Sequence, residues 1–401
     1  MTADAIVPHP TVRNCPFDPP AELATYRERE QMTRMRYPDG HVGWLVTSHS
    51  LARKVLADSR FSARSELKRV PVLRPGADPF FGAPALPGWV LDMDAPEHTR
   101  IRRQLAGKFT ARRMRNMRPY IEEVIDDLLA DMTRAGPPAD LIESYSLPLS
   151  THTICELLGV PYAERADFQR DSKVLFSLSS TADEAAAAMD RLYDLVREVA
   201  KAGGDGLLRQ LSAEGELTED EITGIGVMML TGGHGSVSTA IAMGAYALLT
   251  HPEQLAKFTT DPALTDNAVD ELLRYVTVFH FGVPRAALED FEFAGHSIRA
   301  GEAVTVSLPA ANRDPAWFPD SPGELDIERR TSGHLAFGHG IHQCTGQSLV
   351  RVQARAALSM LFGHFSQLAL AVPTTEITLN TRTSPVYGVL RLPVTWPVPE
   401  K

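Results

Sequence analysis

A glycine-rich stretch near the carboxyl end of the chain leaves few folds open to it. The stretch reads FGHGIHQCTG over residues 337–346 and places Cys344 just before a helix predicted from residue 345 to about residue 362. The first amide hydrogens of a helix have no partners within it, so a thiolate at this position is stabilised electrostatically. The glycines let the backbone turn tightly and approach a flat ligand closely. The pattern therefore indicates a cysteine thiolate beside a planar group.

This stretch resembles the heme-binding loop of the cytochrome P450 superfamily, F-G-x-G-x-H-x-C-x-G, at every fixed position. The resemblance implies heme b as the cofactor, with Cys344 as the axial ligand of its iron. It also implies heme contacts from Phe337, Gly338, His342 and Gly346. The fold expected from it is mainly α with small β-sheets (α+β), in which the heme lies between a long central helix and the helix after the cysteine.

A lone cysteine in a cytosolic chain is usually a small buried hydrophobe, and this is our interpretation of Cys15 and Cys155. Three widely separated cysteines do not form a disulfide framework and fit a reducing compartment. The net charge of −10 argues against nucleic acid as a partner, and the amino-terminal residues contain no apolar run long enough for a signal peptide or membrane anchor. We expect a single cytoplasmic domain over residues 1–401, with residues 1–20 as an irregular arm.

Three basic or imidazole side chains outside this stretch are candidates for heme contacts. His98 and Arg102 are four residues apart at the start of a predicted helix, so they share a face. A solvated charged face would also explain them. The pair is similar to the H-x-x-x-R pair with which the family binds a heme propionate, and a guanidinium can bind a carboxylate through two hydrogen bonds. Arg285 falls where the family has a second propionate arginine.

A basic run follows this helix in an otherwise acidic protein. It consists of Lys108, Arg112, Arg113, Arg115 and Arg118. The run is either a solvated surface or the docking site of an acidic electron donor, since such fields raise association rates. The sequence leaves both interpretations open.

A capping box at Thr218 and Glu221 starts an apolar run that ends near residue 250, and we expect one long central helix there. Its centre reads TGGHGS over residues 231–236, where glycines cost about 1 kcal/mol each relative to alanine. A local widening of the helix at such a point is a common functional device.

The resemblance places oxygen activation at this centre, where the family has an acid followed by threonine that together deliver protons. Here Gly235 occupies the position of the acid and Ser236 that of the alcohol. Ser236, His234, ordered water or a polar group of the substrate could supply protons instead. Gly232 and Gly233 are expected to border the substrate.

Three further segments are expected to contact the substrate. Residues 62–92 form a loop that is too long for a simple connection and too apolar for disorder, and the family has a lid over the substrate there. We expect its Trp89 and Val90 to lie near the ligand. The pocket should also be lined by the segment from Phe279 to Val283 and by the turn at Val386 and Tyr387. Glu271, Arg274 and Arg329 resemble a structural ion network of the family and are assigned to folding.

The expected function follows from these assignments. The chain has no flavin or nicotinamide fingerprint, so the resemblance implies electrons from a ferredoxin and a ferredoxin reductase. The expected reaction is monooxygenation of a small hydrophobic or aromatic natural product with O2. The missing acid keeps open an alternative, oxidative coupling or cyclisation of an aromatic substrate such as a cyclic dipeptide. A heme-thiolate sensor and a nitric oxide reductase are further alternatives, and the lid argues against the sensor.

Overall fold

Helices dominate the computed structural model, which describes residues 6–74, 76, 81–202, 204–380 and 384–398. The helices are α1 (Glu22–Arg29), α2 (His49–Ala57), α3 (Glu97–Ala106), α4 (Ala111–Arg115), α5 (Arg118–Ala135), α6 (Leu147–Leu158), α7 (Arg165–Phe176), α8 (Ala182–Lys201), α9 (Leu207–Glu214), α10 (Glu219–Gly232), α11 (Gly235–Thr250), α12 (Pro252–Thr260), α13 (Thr265–Val276), α14 (Leu308–Ala311) and α15 (Gln347–His364).

The strands are short and form small sheets, as expected from the sequence. They are β1 (Val7–Pro8), β2 (Met32–Arg36), β3 (Val42–Val46), β4 (Phe61–Ser62), β5 (Ala139–Asp140), β6 (Val283–Ala287), β7 (Phe291–Phe293), β8 (His296–Ile298), β9 (Ala303–Val306), β10 (Ala369–Leu370), β11 (Leu379–Asn380), β12 (Gly388–Val389) and β13 (Pro393–Thr395). The largest sheet has the order β1-β2-β3-β9-β6-β4, a second has the order β10-β13-β5, and the pairs β11-β12 and β7-β8 stand alone.

The amino-terminal arm is more regular than its sequence suggests. Val7 and Pro8 form β1, which pairs in parallel with β2 at the edge of the largest sheet. The prediction of an irregular arm is therefore wrong at these two residues. Proline has no amide hydrogen to donate to a neighbouring strand. It is tolerated on an edge strand because one side of that strand's backbone has no neighbouring strand.

The central helix predicted from the capping box is interrupted. The box itself is confirmed, because Thr218 accepts a hydrogen bond from the amide of Glu221 while the Glu221 carboxylate accepts one from the amide of Thr218. However, α10 ends at Gly232 and α11 begins at Gly235, where a single widened helix was predicted. Clustered glycines remove much of the local preference for helix, so tertiary packing decides the backbone path there.

The core surrounds α11, whose side chains from Ile241 to Leu248 are all buried. Gly244 allows close packing in this region, since a Cβ there would lie 3.5 Å from Leu358 on α15 and 3.6 Å from Leu272 on α13. This apolar helix is enclosed by protein. Of the helices in the described ranges, none combines the length and the apolarity needed to cross a membrane.

A buried ion network joins α13 to the segment before the cysteine loop. Arg274 donates to both carboxylate oxygens of Glu271 at 2.6 and 2.8 Å, and Arg329 donates to the same carboxylate at 3.2 Å. Arg274 and Glu271 are fully buried, and Arg329 is 8% exposed. The contacts predicted among these three residues are therefore present. Arg274 also donates to the carbonyl oxygens of Asn312 and Pro322, which ties this segment to α13.

Candidate functional site

The cysteine loop has the conformation that its glycines and the following helix require. Cys344 lies two residues before Gly346, the cap of α15, and its amide donates to the carbonyl oxygen of Phe337 at 2.9 Å. Burial raises the pKa of the Cys344 thiol, whereas the amides of Gly346 and Gln347 and the guanidinium of Arg102 act in the opposite direction. A cation bound to the sulfur would displace its proton, since metal ligation by cysteine releases protons.

Two glycines of the loop adopt a left-handed backbone that side chains rarely tolerate. The φ angle of Gly338 is 69° and that of Gly340 is 75°. A Cβ at Gly340 would also lie 2.2 Å from the carbonyl oxygen of Leu56, so α2 closes the outer side of the loop. Phe337 is fixed by the guanidinium of Arg351, which lies 4.7 Å from the centre of its ring. The loop is therefore held by contacts at Gly340 and Phe337.

The predicted propionate contacts converge on one end of this loop. The rings of His98 and His342 are 4.3 Å apart, and Arg102 donates to the carbonyl oxygen of Gln343. Arg285 is 4% exposed and donates to the carbonyl oxygen of Pro284 at 2.8 Å. Burial, together with the charges of Arg285 and other cationic neighbours, lowers the pKa of His342 to about 2. Arg102 and Arg285 place positive charge at this end of the loop, although Asp92 and Asp94 lie near Arg285.

Buried nitrogen atoms in this cluster have no hydrogen-bond partner among the described residues. They are Nδ1 and Nε2 of His98 and Nδ1 of His342. Buried polar groups are nearly always hydrogen-bonded, so these atoms indicate a missing acceptor. A cavity of about 640 Å³ reaches Arg285 and His342 from the surface. Buried donors, positive charge and an adjacent thiol fit a heme, whose propionates would supply the acceptors and the negative charge.

One further member of the cluster, Lys68, was not identified from the sequence. It lies in the predicted lid and is 7% exposed, and its ammonium group forms an ion pair with Asp92. Asp94 next to it accepts hydrogen bonds from the Ser62 hydroxyl at 2.5 Å and from the Ala63 amide at 2.8 Å. The base of the lid is therefore anchored beside Arg285. A lysine in a loop carries no pattern from which such burial could be inferred.

At the break between α10 and α11, open space lies beside Gly235, one of the predicted catalytic residues. The Ser236 hydroxyl donates to the carbonyl oxygen of Gly232 at 2.7 Å. A Cβ at Gly232 or at Gly235 would meet no atom within 4 Å. Packing around the Cβ position therefore does not require glycine at residue 235. Gly233 differs, because a Cβ there would lie 2.7 Å from the side chain of Ile154.

His234, the third predicted catalytic residue, faces the neighbouring helices. It is 5% exposed, its Nδ1 donates to the carbonyl oxygen of Leu230 at 2.8 Å, and its ring packs edge-on against Phe168 of α7. Burial lowers the pKa of His234, which keeps the ring neutral. This environment is that of a packing residue, so a role in proton transfer has no support from its contacts.

Two of the predicted substrate contacts lie together near this break. Phe279 and Val386 form an antiparallel bridge, and Phe279 is 40% exposed although it is a large apolar residue. Two residues beyond Val386, Gly388 lies so close to α11 that a Cβ would be 2.2 Å from the methyl group of Thr239. Thr239 in turn donates to the carbonyl oxygen of Gly235 at 2.9 Å. These contacts bring the bridge and Gly235 to the same region.

Tyr387 faces away from this region. Its side chain is fully buried, its hydroxyl donates to the carbonyl oxygen of Pro16 at 2.6 Å, and the guanidinium of Arg13 lies 3.7 Å from its ring centre. Successive side chains of an extended segment point to opposite sides, so Val386 and Tyr387 cannot face the same space. Of Val386 and Tyr387, we therefore keep only Val386 as a candidate substrate contact. Val283, at the start of β6, is partly buried and pairs with Val306.

Trp89 and Val90 are buried in an apolar cluster that includes residues of α10. They are 7% and 2% exposed, and Ile225, Met228 and Met229 belong to the same cluster. The lid is thus packed onto the helix that ends at Gly232. Some lid residues (75 and 77–80) lie outside the described residues.

The basic run after α3 is partly neutralised. Lys108 pairs with Glu214, Arg113 bonds to Gln210, and Arg118 pairs with Glu122. Arg112 and Arg115 are exposed and have no acidic partner within the described part of the chain. Arg355 of α15 pairs with Asp266, and its pKa is lowered first by burial and then by the charges of the nearby Arg118 and Arg115. We call the surface formed by Arg112, Arg115, Arg118 and Arg355 the basic face.

Comparison with known proteins identifies the relatives of this chain. Residues 260–393 match the family model described as Cytochrome P450. The chain is 44% identical to cytochrome P450 105C1 of a Streptomyces species over 99% of this chain and 100% of that protein. It is 39% identical to pentalenic acid synthase of Streptomyces avermitilis over 98% of each chain. The crystal structure of SgvP, a candidate thioether synthase in the tailoring of griseoviridin, matches with a TM-score of 0.90 at 34% identity, covering 98% of this chain and all of that one.

Proposed function

The chain belongs to the cytochrome P450 superfamily, and we propose that it hydroxylates or epoxidises a small apolar natural product with O2. Its cofactor is heme b, and it is an oxidoreductase, as its relatives are. One relative, pentalenic acid synthase, is named for the formation of a natural-product acid, which supports a substrate of that general kind. The observation that carries the proposal is the open space at Gly235, in the region where the apolar residues Phe279 and Val386 form a bridge and Phe279 is 40% exposed.

The residues of the chain would hold the cofactor. Bound heme supplies the oxidising chemistry, since a cysteine thiolate donates electron density to its iron and favours O–O cleavage. Cys344 is the proposed ligand, and Arg102 and Arg285 would bind the propionates. His98 and His342 would donate to them from ring nitrogens that otherwise lack partners.

Ser236 and the open space beside it would serve proton delivery. Its hydroxyl proton is directed to the carbonyl oxygen of Gly232, so its lone pairs remain available to accept from water or from a substrate hydroxyl. Apart from its chain neighbours and its own helix, Gly235 has no atom within 4 Å of a Cβ position. We propose that ordered water there takes the place of the family's acid.

A second function, oxidative bond formation without oxygen insertion, is favoured by the same two residues. Gly235 supplies no acid, and the proton of Ser236 is already engaged, so no side chain at the break offers an ionisable proton to the pocket. The similarity to SgvP, a candidate thioether synthase, supports a bond-forming reaction of this class.

Turnover under isotopically labelled dioxygen distinguishes the two functions. We expect mass spectrometry to find one labelled oxygen atom in the product of an accepted natural-product substrate. A product that gains a bond but no label would contradict monooxygenation and support coupling.

The variant Gly235→Glu tests the proposed role of water, since it places an acid at the open space. If water replaces the acid, this variant should raise the ratio of oxidised product to released hydrogen peroxide.

We further propose that a ferredoxin delivers electrons in the cytoplasm by docking on the basic face, and free cysteines are consistent with that compartment.

In the double variant Arg112→Glu/Arg115→Glu, the second-order rate of reduction by a ferredoxin should fall at least about tenfold at low salt, since steering by charge contributes that much or more. Stopped-flow measurement at two ionic strengths tests this. Arg134→Glu is the control, because Arg134 lies about 24 Å from Arg118 along α5. Equal rates in all three proteins would contradict docking at this face.

A further inference from the structure

The bridge between Phe279 and Val386 has two faces. Successive side chains of an extended segment point to opposite sides, so His280 and Tyr387 face away from the two bridge residues. Exposure agrees with this, because His280 is 3% exposed and Tyr387 is fully buried, whereas Phe279 is 40% exposed. The ring centres of His280 and Tyr387 are 5.4 Å apart. The rear face of the bridge is therefore an aromatic pair enclosed by protein.

The amino-terminal arm covers this rear face. The Tyr387 hydroxyl donates to the carbonyl oxygen of Pro16 at 2.6 Å, and the guanidinium of Arg13 lies 3.7 Å from the centre of the same ring. Closer to the amino terminus, the ring of His9 packs edge-on against that of Phe281, with the ring centres 6.0 Å apart. The arm thus contacts both of the segments that form the bridge.

Arg13 is held mainly by its position over the tyrosine ring. Its Nε and Nη2 atoms are buried without a hydrogen-bond partner among the described residues, while Nη1 donates to the carbonyl oxygen of Asp18 at 3.1 Å. Burying a charged group is costly unless a partner compensates it, and the face of an aromatic ring can do so where water is excluded. Arg313 donates to the carbonyl oxygen of Phe17 at 3.0 Å. The arm is therefore clamped on both sides of Pro16.

The same turn contacts α11 on its other side. A Cβ at Gly388 would lie 2.2 Å from the methyl group of Thr239, and the Thr239 hydroxyl donates to the carbonyl oxygen of Gly235 at 2.9 Å. The turn formed by residues 384–388 is therefore held between the arm and the part of α11 that begins at Gly235.

We propose that Arg13 is a positioning residue for substrate binding: by holding Tyr387, it keeps the turn of residues 384–388 against α11 and so sets the width of the open space beside Gly235. The inference rests on the proposed function in one respect, namely that this space receives the substrate. Without Arg13, the Tyr387 ring would lose its cationic partner and the turn would be free to move away from α11. The space would widen, while the cysteine loop and the propionate cluster would keep their contacts.

Spectral titration of the heme-loaded protein with two nitrogenous ligands of the iron tests the proposal. Imidazole is small, whereas 4-phenylimidazole carries a further ring that needs space beyond the iron. In Arg13→Ala we expect the dissociation constant of 4-phenylimidazole, divided by that of imidazole, to fall about threefold or more, as for a residue that couples two regions through a chain of contacts. Arg13→Lys keeps a cation that can lie over the ring, so its ratio should stay closer to that of the unmodified protein.

Arg34→Ala is the matched control, because it removes a different guanidinium from the face of an aromatic ring. Arg34 lies 4.4 Å from the centre of the Trp44 ring in the largest sheet. Its ratio should equal that of the unmodified protein, and all the variants should keep the heme content and the spectrum of the reduced carbon monoxide complex. A ratio in Arg13→Ala equal to that of Arg34→Ala, or higher than that of the unmodified protein, would overturn the proposal.

Hydrogen exchange on the unmodified protein tests the clamp independently of whether any variant folds. The amide of Tyr387 donates to the carbonyl oxygen of Val278 at 2.7 Å, and that of His280 donates to Pro385 at 3.3 Å. Both amides should exchange slowly in the ligand-free protein if the turn is held in place. Rapid exchange of both would mean that the arm does not hold the turn, which contradicts the proposal.

Phe279→Ala separates a failure of this proposal from a failure of the proposed function. The variant enlarges the space from the front of the bridge and should lower the same ratio of dissociation constants. If Phe279→Ala lowers it and Arg13→Ala does not, the arm does not position the turn and the proposal is wrong. The titrations need no turnover, so an absence of labelled oxygen in the product would contradict the proposed function alone.

Discussion

The Cys344→Ala variant is expected to lose all oxidation of substrate, together with the red-shifted Soret band that thiolate ligation gives the reduced carbon monoxide complex. Alanine offers no ligand, and the donation of electron density that favours O–O cleavage disappears with the sulfur. The variant should still fold, because the loop is held by Gly340 against Leu56 and by Phe337 under Arg351. The measurement is the difference spectrum of the reduced protein with and without carbon monoxide.

Cys155→Ala is the matched control for this variant. Cys155 is 2% exposed on α6, and burial raises the pKa of its thiol to about 12, so it has no tendency to form a thiolate. Its replacement should leave the red-shifted band intact. If the band survived in Cys344→Ala and disappeared in Cys155→Ala, the assignment of the iron ligand would be wrong.

The Arg274→Ala variant is expected to lose about 3–5 kcal/mol of folding free energy, the range measured when one partner of a buried ion pair is removed. Arg274 is fully buried and satisfies both carboxylate oxygens of Glu271. Without it, Arg329 is left as the one cationic partner of Glu271 within the described residues. Urea unfolding monitored by circular dichroism measures the loss.

Arg134→Ala controls for the removal of an arginine from a helical ion pair. Arg134 pairs with Asp131 at the same i,i+3 spacing, but both side chains are largely exposed, and such pairs contribute little to stability. Its unfolding midpoint should stay close to that of the unmodified protein. Similar small losses in both variants would mean that the buried network does not stabilise this fold as proposed.

Local features of the site could be predicted because they depend on residues that are close together in the sequence. The cysteine loop depends on glycines at fixed spacing, and the capping box depends on Thr218 and Glu221 alone. The hairpin of β2 and β3 is likewise local, since its turn and its apolar residues lie within one short segment.

Features set by tertiary contact could not be predicted in this way. At the break between α10 and α11, Gly233 lies so close to α6 that a Cβ would be 2.7 Å from the side chain of Ile154. Tyr387 turned away from the pocket because the amino-terminal arm supplies the acceptor at Pro16. Lys68 entered the cluster because Asp92 pairs with it across the lid. In each case the deciding partner lies far away in sequence, so no local pattern carries the information.

X-ray absorption at the iron edge of the heme-loaded protein tests the central assignment most directly. We predict one sulfur atom in the first coordination shell of the iron in the unmodified protein and none in Cys344→Ala. A first shell made only of nitrogen and oxygen in the unmodified protein would contradict the assignment of Cys344 and the mechanism that depends on it.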